Sequence, residues 1–174
     1  MSLFNMLGKR RLIKRRDELC EEAKIFIQVH YVREKEYRSL SLKSDSEREE
    51  CVSWYESHGN PSTFSDIVAC YISDRKIDAA KLANAYHLDS KFIQRVANEP
   101  DFMVSKSEAI LICLGLKLNI TEARVLLDFA GYTLTYSSHT DLVVRYCIEN
   151  GYTSYGDVNY ILSNVCQTRL KDIA

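Results

Sequence analysis

The sequence predicts an all-α protein, on three observations. Apolar residues recur every three or four positions over most of its length, the spacing of one buried helix face. Its 174 residues include only two prolines and six glycines, so little breaks such helices. Short polar residues stand where those runs begin, placed to accept from the unpaired N–H groups of a first turn. A hydrophobic content of 46% beside 27% charged residues is that of a globular chain rather than a disordered one. The length suits one modest domain with an appendage.

Residues 1–38 read as a basic N-terminal arm and a helix. Leu3, Phe4, Met6 and Leu7 precede Lys9, Arg10, Arg11, Lys14, Arg15 and Arg16, and residues 1–16 hold no acid. Three roles fit this arm: an anchor on a membrane surface, a grip on phosphates, or the solvated start of the next helix. Leu19, Ala23, Phe26, Ile27, His30 and Tyr31 then recur at helical spacing. Ile25, Ile27, Val29 and Tyr31 also alternate as a strand would. The acids Asp17, Glu18, Glu21 and Glu22 ahead of the apolar run favour the helix.

Residues 39–62 read as a linker, rich in serine and acid, with Trp54 and Tyr55 in one short apolar turn. From Thr63 to the end, residues 63–174 read as a multi-helix domain with a C-terminal extension. A helix over about 63–73 carries Phe64, Ile67, Val68, Tyr71 and Ile72. Ser105-Lys106-Ser107-Glu108 is a capping box, and Asn119-Ile120-Thr121-Glu122 repeats its logic. Gly131 and Gly151 stand where helices should stop. Ser138 opens a helix to about Asn150, and the last helix covers about 157–166.

Asp78 to Val96 reads as helix, tight turn, helix. Leu82, Ala83 and Tyr86 supply the inner side of the first helix, Leu88 closes the turn, and Ile93 and Val96 face back from the second. Asp78 and Asp89 are the expected caps. With the capped helices that follow, this order resembles the lambda-repressor-like (Xre-type) helix-turn-helix domain over about residues 63–130. Over roughly 63–170, the runs Asn98-Glu99-Pro100-Asp101-Phe102, Ala130-Gly131-Tyr132-Thr133-Leu134 and Ile148-Glu149-Asn150-Gly151 are similar to an accessory Xre-like module. That module often follows an unrelated domain, such as a macro domain, in bacterial multidomain proteins. The resemblance implies a compact lambda-repressor-like bundle.

For function it implies a DNA-binding, regulator-like protein, dimeric on paired half-sites of double-stranded DNA. Ser90, Lys91, Gln94 and Arg95 would face the groove, with Gln94 suited to adenine and Lys91 to guanine or phosphate. Lys9, Arg10, Arg11, Lys14, Arg15 and Arg16 would hold phosphates or a membrane surface. Two residues depart from the pattern. His87 takes the turn position usually given to a small residue, a site that tends toward positive φ. Phe92 sits on the reading face, where it suits a protein partner better than a polar groove. The alternative is therefore a non-catalytic interaction module, accessory or related to phage or host defence, with the helix-turn-helix as scaffold.

Charge leaves both open. The net charge is −1 with a pI near 6.4, against the basic balance usual in DNA-binding domains. The arm carries +6, so the rest carries about −7. No histidine stands in a recognised nucleophile motif and no glycine loop cradles phosphate, so no enzyme is expected. The six cysteines form no CxxC pair, so neither a metal nor another cofactor is expected. Separate reduced thiols suit a cytoplasmic protein. No apolar run approaches the roughly 20 residues that span a bilayer, and the apolar-then-basic start inverts the order of a secretory leader.

Overall fold

The computed structural model describes residues 3–32, 53, 56–57, 63–99 and 102–173. Most of the expected linker, Trp54 included, lies outside the described residues, as do Pro100 and Asp101. The described residues form eight α-helices and one 3-10 turn, with no strand. These are α1 (Leu3–His30), α2 (Phe64–Asp74), α3 (Ala79–Ala85), α4 (Phe92–Asn98), α5 (Lys106–Gly115), α6 (Ile120–Phe129), α7 (His139–Glu149) and α8 (Tyr155–Val165), then the turn Leu170–Asp172. The fold is all-α, as expected.

The helix starts follow the sequence signals closely. Ser105 and Asn119 each accept from the N–H three residues on, and Glu108 and Glu122 reach back to their backbone N–H at 2.7 and 2.8 Å. Thr63 and Asp66 make a third such box. Asp78 accepts from Ala80 and Lys81 at 3.0 and 3.1 Å. Asp89 does not cap as expected: α4 starts later, at Phe92, with Lys91 in the cap position and no side-chain bond there. The Asp89 carboxylate instead accepts from the Lys91 N–H at 2.9 Å, a local turn that competes with capping.

Five helix ends share one device. Lys76, His87, Lys117, Gly131 and Gly151 all lie in the left-handed region, at φ 51°, 56°, 53°, 77° and 71°. The next residue then donates its N–H five residues back: Ile77 to Ile72, Leu88 to Ala83, Leu118 to Cys113, Tyr132 to Leu127 and Tyr152 to Cys147. Each is a Schellman closure with an apolar residue folded back over the helix end. His87 thus takes the positive φ expected of its position.

Of the three roles open to the basic arm, the structure shows the start of the next helix: Leu3–His30 form one continuous α1. Its alternating apolar residues divide by the helical period: Ile27 is buried, while Ile25 and Val29 are exposed. α5 is the centre of the molecule. Ala109 to Leu114 are all at most 1% exposed, as a helix enclosed on every side requires. α5 packs on α6 and on the 3-10 turn, where the Ser107 hydroxyl donates to the Leu170 carbonyl at 2.6 Å. α2 packs with α4 and α6, α3 with α4, and α1 with α7 and α8.

Polar clamps join these groups. Arg75 donates to the carbonyls of Leu116 and Lys117 and holds Glu122 with two bonds at 2.6 and 2.7 Å. It thereby ties the end of α2 to the end of α5 and the start of α6. Lys106 of α5 meets the buried Asp141 of α7 at 2.9 Å, and Asp141 also accepts from the Thr135 N–H. The five described cysteines are free thiols; Cys20, Cys113 and Cys147 are buried and Cys70 and Cys166 half-buried.

Candidate nucleic-acid interface

The face of interest is built on α3, its turn and α4. Asp78 fixes the start of α3, and Leu82 and Ala83 bury it. Gly115 lets α3 come close to α5: a Cβ there would lie 3.0 Å from Leu82 Cδ2 and 3.2 Å from Tyr86 Cε2. The turn is gripped from the C-terminal half. The Tyr86 hydroxyl donates to the Thr153 carbonyl, and the His87 ring meets the Tyr155 ring edge-on at 4.7 Å. Burial pushes the Tyr86 phenol up to about 12.

α4 is about 10 Å long at 1.5 Å per residue. Ile93 and Val96 are fully buried toward α2 and α3. Lys91, Gln94, Arg95 and Asn98 are spaced i, i+3, i+4 and i+7, so they share the opposite face, and all four are exposed. Ser90 is exposed beside them. The structure brings the four expected groove-facing residues to one surface. Phe92 lies at the edge of that surface, half-buried, its ring edge-on to Phe102 at 5.7 Å.

The electrostatics of this face are nearly neutral. Arg95 bonds Glu99 through Nε at 3.1 Å, and its guanidinium lies 4.8 Å over the Phe102 ring. The hydrogen bond it donates to Glu99 raises the Arg95 pKa. Asn98 Nδ2 donates to the Gln94 backbone carbonyl at 2.6 Å, and Gln94 itself is exposed. Glu99 is a partner that the sequence reading missed, although Arg95 and Glu99 stand at i, i+4 spacing and the signal was present.

The basic arm is part of helix α1. Lys9, Arg10, Arg11, Lys14 and Arg15 are exposed on α1. Arg16 has a different role: its Nε holds Asp157 Oδ1 at 2.8 Å and its guanidinium lies 5.4 Å from the Tyr160 ring, so it clamps α1 to α8. Along α1, Glu22 and Phe26 meet Tyr146, and Tyr31 meets His139. α1 and α7 therefore run antiparallel, and α1 before Arg16 continues past the end of α7 and the start of α8. Thr153, in the same connection, holds Tyr86. The basic turns of α1 and the α3–α4 turn thus lie at one end of the molecule.

A groove of about 670 Å³ opens at that end as well, lined by Leu82, Tyr86 and Leu116 with Arg75, Lys81 and Lys117 among its cations. Arg75 is already committed to Glu122 and two carbonyls. Among the described residues no group of three His, Cys, Asp or Glu side chains could hold a metal ion, and no helix is long and apolar enough to cross a membrane. No protein-family model, curated protein or solved structure matches the chain.

Proposed function

We propose that the protein is a DNA-binding, regulator-like protein of the Xre-type helix-turn-helix kind that presents the outer face of α4 to the major groove. One observation carries this reading. Lys91, Gln94, Arg95 and Asn98 form an exposed polar face, and α4 is packed on its other side against α2 and α3 rather than under the C-terminal helices. Phe92, the residue least suited to a groove, turns partly inward against Phe102. Gln94 is the base-reading candidate, because an exposed amide can bond adenine with two hydrogen bonds. Lys91 supplies a phosphate or guanine contact. The cations of α1 add attraction at the same end of the molecule without sequence preference.

A second reading has its own support. Arg95 is neutralised by Glu99 and seated on Phe102, so α4 has little net charge to attract a polyanion. On that reading the same surface docks a protein partner, and the helix-turn-helix is a scaffold.

Fluorescence anisotropy with random duplex DNA across a salt series decides between them. The DNA reading expects binding that weakens steeply with salt, with a log–log slope of about −0.9 per phosphate contact. Lys91→Ala with Gln94→Ala should then lower affinity about tenfold or more. No binding at about 50 mM salt, where such contacts are strongest, overturns it.

A further inference from the structure

The groove between α3, the end of α5 and the α7–α8 connection plays no part in either reading of α4. α3 turns one face to it: Lys81 with Ala85, and Leu82 with Tyr86, stand at i, i+4 spacing and all four line it. Gly115, Leu116 and Lys117 form a second wall, and Thr153 and Ser154 a third. Its volume of about 670 Å³ is that of a small-molecule site. A partner helix, about 10 Å across, would use up that volume in under two turns.

The charge of the lining selects the kind of small molecule. Arg75 is held by Glu122 at 2.6 Å, and Lys81 stands 3.7 Å from Asp78. Lys117 is exposed and makes no ion pair among the described residues. The groove therefore keeps one uncompensated positive charge beside an apolar lining, on a chain whose residues 17–174 carry about −7. A singly charged head balances that charge, and a dianionic phosphate exceeds it. Lys117 also sits at φ 53°, which costs an L side chain and suits glycine.

We infer that this groove binds a small amphipathic monocarboxylate, such as a medium-chain fatty acid. The carboxylate lies at Lys117, and the apolar body lies along Leu82, Ala85 and Tyr86. Such a ligand touches α3, α5 and the α7–α8 connection together. α4 lines no part of the groove, so the inference does not rest on DNA binding.

The test is an amide NMR titration of the full chain with octanoate, beside octanol and octylammonium, without DNA. Octanoate should shift the amides of Leu82, Ala85, Gly115, Lys117 and Ser154. Its dissociation constant should be on the order of 0.5 mM, as suits about ten non-hydrogen atoms in an open groove. Octanol and octylammonium should bind about tenfold more weakly, since neither pairs with Lys117. Lys117→Gly should weaken octanoate about tenfold while raising stability, because glycine adopts that φ freely. Ala85→Trp, at an exposed position, should fill the groove and abolish the shifts, with circular dichroism showing both variants folded. Octanoate that moves no amide up to about 5 mM overturns the inference. So do shifts confined to other surfaces, octanol that binds as tightly as octanoate, or undiminished affinity in Lys117→Gly.

Discussion

Replacing Lys76, His87 and Lys117 by glycine, one at a time, separates two energies that meet at the α3–α4 turn. All three residues close a helix at positive φ, where an L side chain costs roughly 1–2 kcal/mol. Glycine removes that cost but returns about 0.4–1 kcal/mol by loosening the unfolded chain. The net gain is about 0.5–1 kcal/mol, or about 1–4 °C in Tm for a chain of this length. Lys76 and Lys117 are exposed, so Lys76→Gly and Lys117→Gly should show the full gain. His87 also meets Tyr155 edge-on at 4.7 Å, an aromatic contact of about 0.5–1.5 kcal/mol. His87→Gly should therefore be neutral or slightly destabilising. Urea unfolding followed by circular dichroism measures all three. Equal gains at the three sites would refute the idea that the C-terminal half holds this turn through the His87 ring.

Three further outcomes follow from the same structure. Lys106→Met leaves Asp141, 1% exposed, without its cation; it should destabilise by about 3–5 kcal/mol in urea unfolding, and a loss under about 1 kcal/mol would contradict that pairing. Burial raises the pKa of Tyr71, Tyr86, Tyr146, Cys113 and Cys147, with Tyr86 and Cys147 each pushed up to about 12. The unfolded groups ionise first, so stability should be full below about pH 8.5 and fall as pH climbs through the window set by the free thiol and phenol values; unfolding curves that do not change between pH 8 and 11 would refute it. Glu99→Gln frees Arg95 from its ion pair; under the DNA reading duplex affinity should rise and the salt slope steepen by about 0.9, whereas unchanged anisotropy curves would count against phosphate contact by Arg95.

Much of the fold was legible because its signals are local. The boxes at Ser105 and Asn119, the stops at Gly131 and Gly151 and the cap at Asp78 involve residues within a few positions of one another. What was not legible is long-range. Arg16 reads as one of six cations, and only the packing of α1 on α8 commits it to Asp157. Arg75 carries no motif, yet it fastens three helix ends. Asp89 illustrates a local ambiguity: an aspartate before a helix can cap it or close a turn, and here the Lys91 N–H takes the carboxylate. At the candidate site, the helix-turn-helix resemblance pointed to Ser90, Lys91, Gln94 and Arg95, and all four are exposed. The neutralising Glu99 was one helical turn away.

The turn itself carries less functional information than its shape implies. Lys76-Ile77-Asp78, His87-Leu88-Asp89 and Lys117-Leu118-Asn119 are the same construction: a left-handed residue, an apolar residue folded back, then a short polar residue. All three join successive helices in this protein, so the geometry of the middle one cannot by itself mark a DNA reader. What sets it apart is its surroundings. Its second helix is short, packed on one side only and polar on the other. Its turn is held by Tyr155 and Thr153 at the end where the cations of α1 project. On the proposed DNA reading, recognition would therefore be a property of the exposed face of α4 and the charge around it. Substitutions that keep the turn but alter Lys91, Gln94 or Glu99 should change binding while leaving the fold intact.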